Sequence, residues 1–170
     1  MLYNSTDFDV TSANHTGPLP TDIGHRVFLE GQRRFVLAGI PLFAATRITA
    51  GSGRPRDALG DGGDGIVYLI GRGGAGRGPI QMQANFRLGA SFHGADITLD
   101  VFNVFDRRDA TNTDRIYAGG AIHPIDGGTY EDLVFLKTDS GAAATRRTAY
   151  DVGTAFQPPV SVVLGIRRAF

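Results

Sequence analysis

The chain of 170 residues lacks cysteine and tryptophan, and its 17 acidic residues balance its 17 basic ones. Without cysteine there are no disulfides, thiolate metal sites or cysteine nucleophiles. A net charge of zero gives no electrostatic basis for nucleic-acid binding, so we expect no nucleic-acid partner. The sequence also has no run of about eighteen apolar residues, which excludes a membrane-spanning helix, and no signal peptide at its start.

The sequence does contain segments in which apolar residues alternate with polar ones. In residues 81–92 every even-numbered residue is apolar and every odd-numbered residue is polar or glycine, the pattern of a strand with one apolar face. Less regular versions of this alternation recur in other segments of the chain. The alternation predicts an all-β, antiparallel chain with strands near 25–36, 41–51, 80–92, 96–105 and 160–170.

The connections between these strands differ greatly in length. Turns of about three residues join the first strand to the second and the third to the fourth, whereas long loops occupy 52–79 and 106–159. Strands of about ten residues with short turns at one end and long loops at the other are typical of outer-membrane barrels. We therefore predict transmembrane strands in 25–170, with the long loops and the segment 1–24 extracellular.

Four motifs carry a family resemblance: Asp22-x-x-His25-Arg26, Gly-Ser-Gly-Arg-Pro at 51–55, Asp-Val-Phe-Asn-Val-Phe-Asp-Arg-Arg at 100–108, and Leu-Gly-Ile-Arg-Arg-Ala-Phe at 164–170. In this order and spacing they resemble the C-terminal end of a TonB-dependent outer-membrane receptor, in particular the Oar-like receptors with a carboxypeptidase-regulatory-like domain. The resemblance implies the last five strands of a larger barrel in the cell outer membrane. Arg168 departs from the family, which more often has an apolar residue there.

The resemblance also implies partners and a role. The expected partners are outer-membrane lipid, the remaining barrel strands and the plug, and the barrel-assembly machinery, with the TonB system reached only through a missing N-terminal part. The expected role is uptake or binding of an extracellular ligand. The assembly signal would be the terminal strand, through Val160, Val162, Leu164, Ile166 and Phe170. The residues expected to face the lumen are Glu30, Arg47, Gln81, Gln83, Asn85 and Arg87.

Other motifs favour neither catalysis nor a cofactor. Residues 71–76 fit G-x-G-x-x-G, but a strand follows instead of the helix that a phosphate site needs. Residues 57–64 place three aspartates among glycines without EF-hand spacing, so a flexible, solvated loop is the simpler interpretation than a calcium site. The four histidines are scattered and most simply solvated. We expect no enzymatic activity, no cofactor and no metal.

Two alternatives remain open. A soluble β-sandwich could bind a ligand such as a glycan through its long loops, with the apolar faces packed inside the chain. A truncated reading frame could lack an independent function, because five strands cannot close a barrel. The sequence identifies no ligand and does not show whether Met1 is a true start. A cluster of aromatic residues in the second loop (Tyr117, Tyr130, Phe135 and Tyr150) predicts at best an extracellular contact surface, and a flexible or self-packed loop is the simpler interpretation.

Overall fold

The computed structural model describes residues 13–168 and divides into two compact units. We call them the loop unit (Met1–Ile23, Gly53–Pro79 and Ala110–Ala155) and the sheet unit (Gly24–Ser52, Ile80–Asp109 and Phe156–Phe170). Phe170 of the predicted assembly signal and residues 1–12 of the predicted segment 1–24 lie outside the described residues.

The described residues form ten strands and one 3-10 helix. In chain order these are β1 (Arg26–Leu37), β2 (Ile40–Gly51), β3 (Leu59–Asp61), β4 (Ile66–Tyr68), β5 (Gln81–Phe92), β6 (Ala95–Phe102), β7 (Ala110–Thr113), β8 (Ile116–Ala121), the 3-10 helix (Tyr130–Phe135), β9 (Gly153–Phe156) and β10 (Ser161–Arg168). No helix within residues 13–168 is long and apolar enough to cross a membrane.

The sheet unit is one antiparallel sheet with the strand order β1-β2-β5-β6-β10. The sheet is open, with β1 and β10 at its edges. These five strands correspond to the five that the alternation predicts. The fourth ends at Phe102 and not at 105, because Asn103 turns the chain out of the sheet with a left-handed φ of 50°.

Both short connections are tighter than predicted. Ala38 and Gly39 have φ values of 50° and 79°, and His93 and Gly94 have φ values of 48° and 76°. Two consecutive residues with positive φ form the type I′ turn, whose twist matches that of the strands it joins. The turns thereby fix the registers of the β1–β2 and β5–β6 hairpins.

The loop unit contains regular structure that the alternation does not predict. It contains a three-stranded sheet of order β4-β3-β8, the pair β7-β9 and the 3-10 helix. Apolar side chains from both long loops form a buried core: Ala58, Val67, Leu69, Ile70, Tyr117, Ala118, Ile122, Leu133, Leu136 and Tyr150. The short strands left no extended periodicity in the sequence, which is why the alternation did not reveal them.

Candidate functional site

The candidate site is the five-stranded sheet, whose two faces differ in chemistry. Directly paired residues of an antiparallel sheet point to the same side. Leu88 pairs with Ala44 and with Leu99, and Leu99 pairs with Leu164. The register therefore brings the apolar positions of all five strands onto one side, which we call the apolar face.

The apolar face consists of six rows that run across the strands. Counted from the short turns, the first row is Leu37, Ile40, Phe92, Ala95 and Arg168, and the second is Phe35, Leu42, Ala90, Ile97 and Ile166. The third row is Arg33, Ala44, Leu88, Leu99 and Leu164, and the fourth is Gly31, Thr46, Phe86, Val101 and Val162. The fifth row is Leu29, Ile48 and Ala84, and the sixth is Val27, Ala50 and Met82. Many of these side chains are open to the surroundings: Leu164 is 65% exposed and Ile166 is 71% exposed. Isolated exposed apolar residues are common in proteins, but a continuous face of this size marks an interaction surface.

The opposite side, the polar face, carries paired charges. Arg47 Nε lies 3.0 Å from Glu30 Oε1 on the neighbouring strand. Arg87 donates two hydrogen bonds to the carboxylate of Asp100, one of them from Nη2 at 2.9 Å. The side-chain oxygen of Asn85 accepts hydrogen bonds from the backbone N–H of Asn103 and from Gln83. All six residues expected to face a lumen therefore share this face: Glu30, Arg47, Gln81, Gln83, Asn85 and Arg87.

Two hollows of about 790 Å³ and 660 Å³ open mainly on the polar face, as expected for a sheet that is concave on that side. Between them the ring of Phe43 covers Gly89. A Cβ atom at position 89 would lie 1.9 Å from Phe43 Cε1, so only glycine leaves room for the ring. Phe43 therefore packs across the polar face.

We expect Gly89→Ala to destabilise the sheet by about 1–2 kcal/mol, because the added methyl forces Phe43 from its place. Gly31→Ala on the apolar face is the matched control. A Cβ atom at position 31 would meet only Thr46 Cγ2, at 4.0 Å. Alanine is favoured there because it leaves the unfolded chain less conformational freedom than glycine does. Urea unfolding of both variants measures the difference. Equal stabilities would mean that the ring is not held over Gly89.

The predicted assembly signal falls on β10 and the residue before it. Val162, Leu164 and Ile166 lie on the apolar face, and Phe170 is outside the described residues. Val160 precedes β10, and its backbone N–H donates to Asp106 Oδ1 at 2.9 Å. This hydrogen bond, helped by Arg108, lowers the pKa of Asp106. The start of β10 is thus tied to the segment that leaves β6.

Asn103 is a structural residue that the sequence analysis did not single out. It is 3% exposed, and its side-chain Nδ2 donates to the carbonyls of Arg107 and Pro158 at 2.8 and 2.7 Å. Its Oδ1 accepts from the backbone N–H of Arg107. The sequence did contain a signal for this role, since Asn103 lies inside the motif at 100–108. Asparagine tolerates a left-handed φ better than most residues, so it indicates a turn at that position.

In the loop unit, Asp57 corrects the interpretation of residues 57–64 as a solvated loop. Its side chain is fully buried, accepts from the backbone N–H of Gly73 at 2.8 Å and pairs with Arg115 Nη1 at 3.1 Å. Its backbone carbonyl accepts from the Tyr150 hydroxyl at 3.3 Å. Burial raises the pKa of Tyr150. Only Asp61 and Asp64 of the three aspartates are exposed.

The remaining motifs show no converging chemistry in the described part of the chain. No group of three or more His, Asp or Glu residues within 13–168 is placed to hold a metal ion. All four histidines are exposed, and His123 pairs with Asp139 at 3.0 Å. Of the second-loop aromatic residues, Tyr117 and Tyr150 pack edge to face in the core, whereas Tyr130 and Phe135 are exposed. That loop is therefore self-packed around two of these four aromatic residues.

The comparisons with known proteins agree with the motif resemblance. Over 190 aligned positions the chain is 28% identical to the TonB-dependent transporter Oar of Myxococcus xanthus. The chain is distantly related to a TonB-dependent transporter. The match covers 97% of this chain but only 18% of the length of that relative. No protein-family model matches the chain, and no solved structure matches it significantly.

Proposed function

We propose that this chain forms part of the wall of an outer-membrane β-barrel of the TonB-dependent, Oar-like type. In this proposal the apolar face contacts lipid and the polar face lines the lumen. The parent protein takes up or binds an extracellular ligand, and the wall performs no catalytic step. The observation that carries the proposal is the broad, exposed and largely apolar face opposite a face of paired charges.

The size of the apolar face fits a membrane. Neighbouring rows are two residues apart, which is about 6.7 Å along a strand. Six rows therefore span about 33 Å, and a strand tilt of about 40° reduces this to a height of about 25 Å, the height of the apolar band of outer-membrane barrels. A soluble sandwich would cover such a face with a second sheet, yet Leu164 and Ile166 remain mostly exposed.

The polar face supports the assignment of the lumen. Glu30 with Arg47, and Arg87 with Asp100, are cross-strand pairs of opposite charge. Such pairs tolerate water and would be costly against hydrocarbon. The two hollows on this side provide the concave surface that an enclosed lumen requires.

The rest of the barrel must come from elsewhere. About eight strands are the minimum for closure, and an open edge is not tolerated in lipid. We propose that β1 and β10 pair with strands of a longer protein, which also supplies the plug and the contact with the TonB system. The alternating residues of β10, with Val160 and Phe170, would serve as the signal for the barrel-assembly machinery.

Single tryptophans test the orientation, because the chain has none of its own. Leu164→Trp places the probe on the apolar face, and Val163→Trp, one residue earlier, places it on the polar face. In the completed barrel of the longer protein, reconstituted in phospholipid vesicles with its other tryptophans replaced, we expect the Leu164→Trp fluorescence to shift to the blue and to be quenched by lipids with brominated tails. The Val163→Trp fluorescence should be quenched by aqueous acrylamide instead.

The two variants control for each other, because they share a strand and differ only in the face. A sandwich would bury Leu164→Trp away from both quenchers. The same quenching pattern at both positions would refute a wall with one face toward lipid.

A further inference from the structure

Arg33 is a charge in the interior of the apolar face. It pairs with Ala44 in the third row from the short turns, and Gly31 and Phe35 are its neighbours on the same side of β1. Within the described residues 13–168 its guanidinium has no ion pair and no hydrogen bond. Arg34, the next residue, is on the polar face. An unpaired arginine among lipid-facing residues is destabilising unless an anion accompanies it.

A hollow lies beside Arg33 on the same face. It has a volume of about 270 Å³ and is lined by Arg33, Ala44, Thr46 and Phe86 of the apolar face, together with Gly31 and the intervening polar-face residues Gln32 and Ala45. Small residues leave the floor shallow, and Phe86, which is 39% exposed, forms an aromatic wall. The hollow therefore combines a cationic rim with an apolar floor, which complements a molecule that has an anionic head and a hydrocarbon tail.

We propose that this hollow binds an anionic phospholipid, with the phosphate on Arg33 and an acyl chain against Ala44 and Phe86. The inference rests on the proposed function, because it requires the apolar face to contact lipid. It goes further by assigning a lipid class to one place on the wall.

The depth of Arg33 fits this assignment. Two row spacings separate it from the first row, which is about 13 Å along the strand and about 10 Å in height for a strand tilt of about 40°. An arginine side chain can extend over much of this distance toward the headgroups while its methylenes stay in hydrocarbon. The lipid would thus come from the leaflet next to the short turns.

A carboxylate on another strand is the competing partner for Arg33. The position of the hollow favours a lipid over such a carboxylate. The hollow extends from Arg33 across β2 toward Phe86 on β5, so it lies within the sheet and not beyond the β1 edge, where a partner strand would be. A partner strand paired with β1 would leave this hollow empty.

The test uses the completed barrel with this chain in its wall and the other tryptophans of the longer protein replaced, carrying the reporter Phe86→Trp in phosphatidylcholine vesicles. A low, equal mole fraction of brominated lipid is added as either phosphatidylglycerol or phosphatidylcholine. We expect brominated phosphatidylglycerol to quench the reporter as strongly as an about fivefold higher mole fraction of brominated phosphatidylcholine would. This is the local enrichment expected for one arginine near an anionic headgroup. Arg33→Gln should abolish this preference, whereas the matched control Arg34→Gln on the polar face should keep it. Val101→Trp, in the same row, is a second reporter if Phe86→Trp does not fold.

The outcomes separate the inference from the proposed function. Equal quenching by the two brominated lipids, or a preference that survives Arg33→Gln, would overturn the lipid site and leave the membrane wall intact. A preference that is lost equally in Arg34→Gln would reduce the effect to general electrostatics and also overturn it. No quenching by either lipid, at either reporter, would remove the proposed function itself.

Discussion

Leu88→Arg is expected to destabilise the chain in a phospholipid bilayer by about 2–4 kcal/mol, the cost of an arginine near the midplane of a barrel wall. Leu88 lies in the third of the six rows, on a strand with neighbours on both sides. Arg33 lies in the same row, but Leu88 does not line the hollow beside Arg33, so the proposed lipid site does not supply an anion for an arginine at position 88. The measurement is urea unfolding of the completed barrel refolded in vesicles with this chain in its wall, followed through the reporter Leu164→Trp.

Gln83→Arg is the matched control for this substitution. It is on the same strand, but its side chain belongs to the polar face, where water and carboxylates are available. We expect its free energy of unfolding to stay within about 0.5 kcal/mol of the parent, as for an ordinary surface change. If both arginines cost the same, or neither has an effect, the two faces do not differ in their surroundings and the wall proposal fails.

The sheet could be predicted from the sequence because one rule governs every residue in it. A side-chain period of two, imposed by one apolar and one polar environment, appears directly in residues such as Met82, Phe86 and Leu88. The turn at His93 and Gly94, where both residues have positive φ, also appears in the sequence as a short interruption of the alternation. Glu30 and Arg47 could be assigned to one face, although their direct pairing required the register.

The loop unit could not be predicted in the same way. Its core residues come from both long loops, far apart in sequence, and only Val67, Tyr117 and Ala118 of them lie on strands, which are three and six residues long. Strands that short show hardly any period, and buried polar residues such as Asp57 and Asn14 look like ordinary loop residues. Asn14 illustrates this, since its amide donates to the carbonyls of Tyr68 and Ile125, contacts that only the tertiary structure defines.

The buried Asp57 is the residue of the loop unit whose loss should have the largest effect. Asp57→Ala removes the acceptor of the Gly73 N–H and the partner of Arg115, and it leaves a small cavity. Arg115 is 39% exposed on its side chain and can be solvated again, which reduces the penalty below that of a fully buried pair. We expect a loss of about 2–4 kcal/mol in the free energy of unfolding of this unit.

All four tyrosines within residues 13–168 belong to the loop unit, so their near-ultraviolet circular dichroism reports its unfolding separately from the sheet. In a urea titration the tyrosine signal of Asp57→Ala should be lost at lower urea than in the parent. Asp64→Ala, an exposed aspartate of the same segment, should leave the midpoint unchanged. If the two alanine variants unfold together, Asp57 does not stabilise the unit, and the long loops owe their order to the apolar core alone.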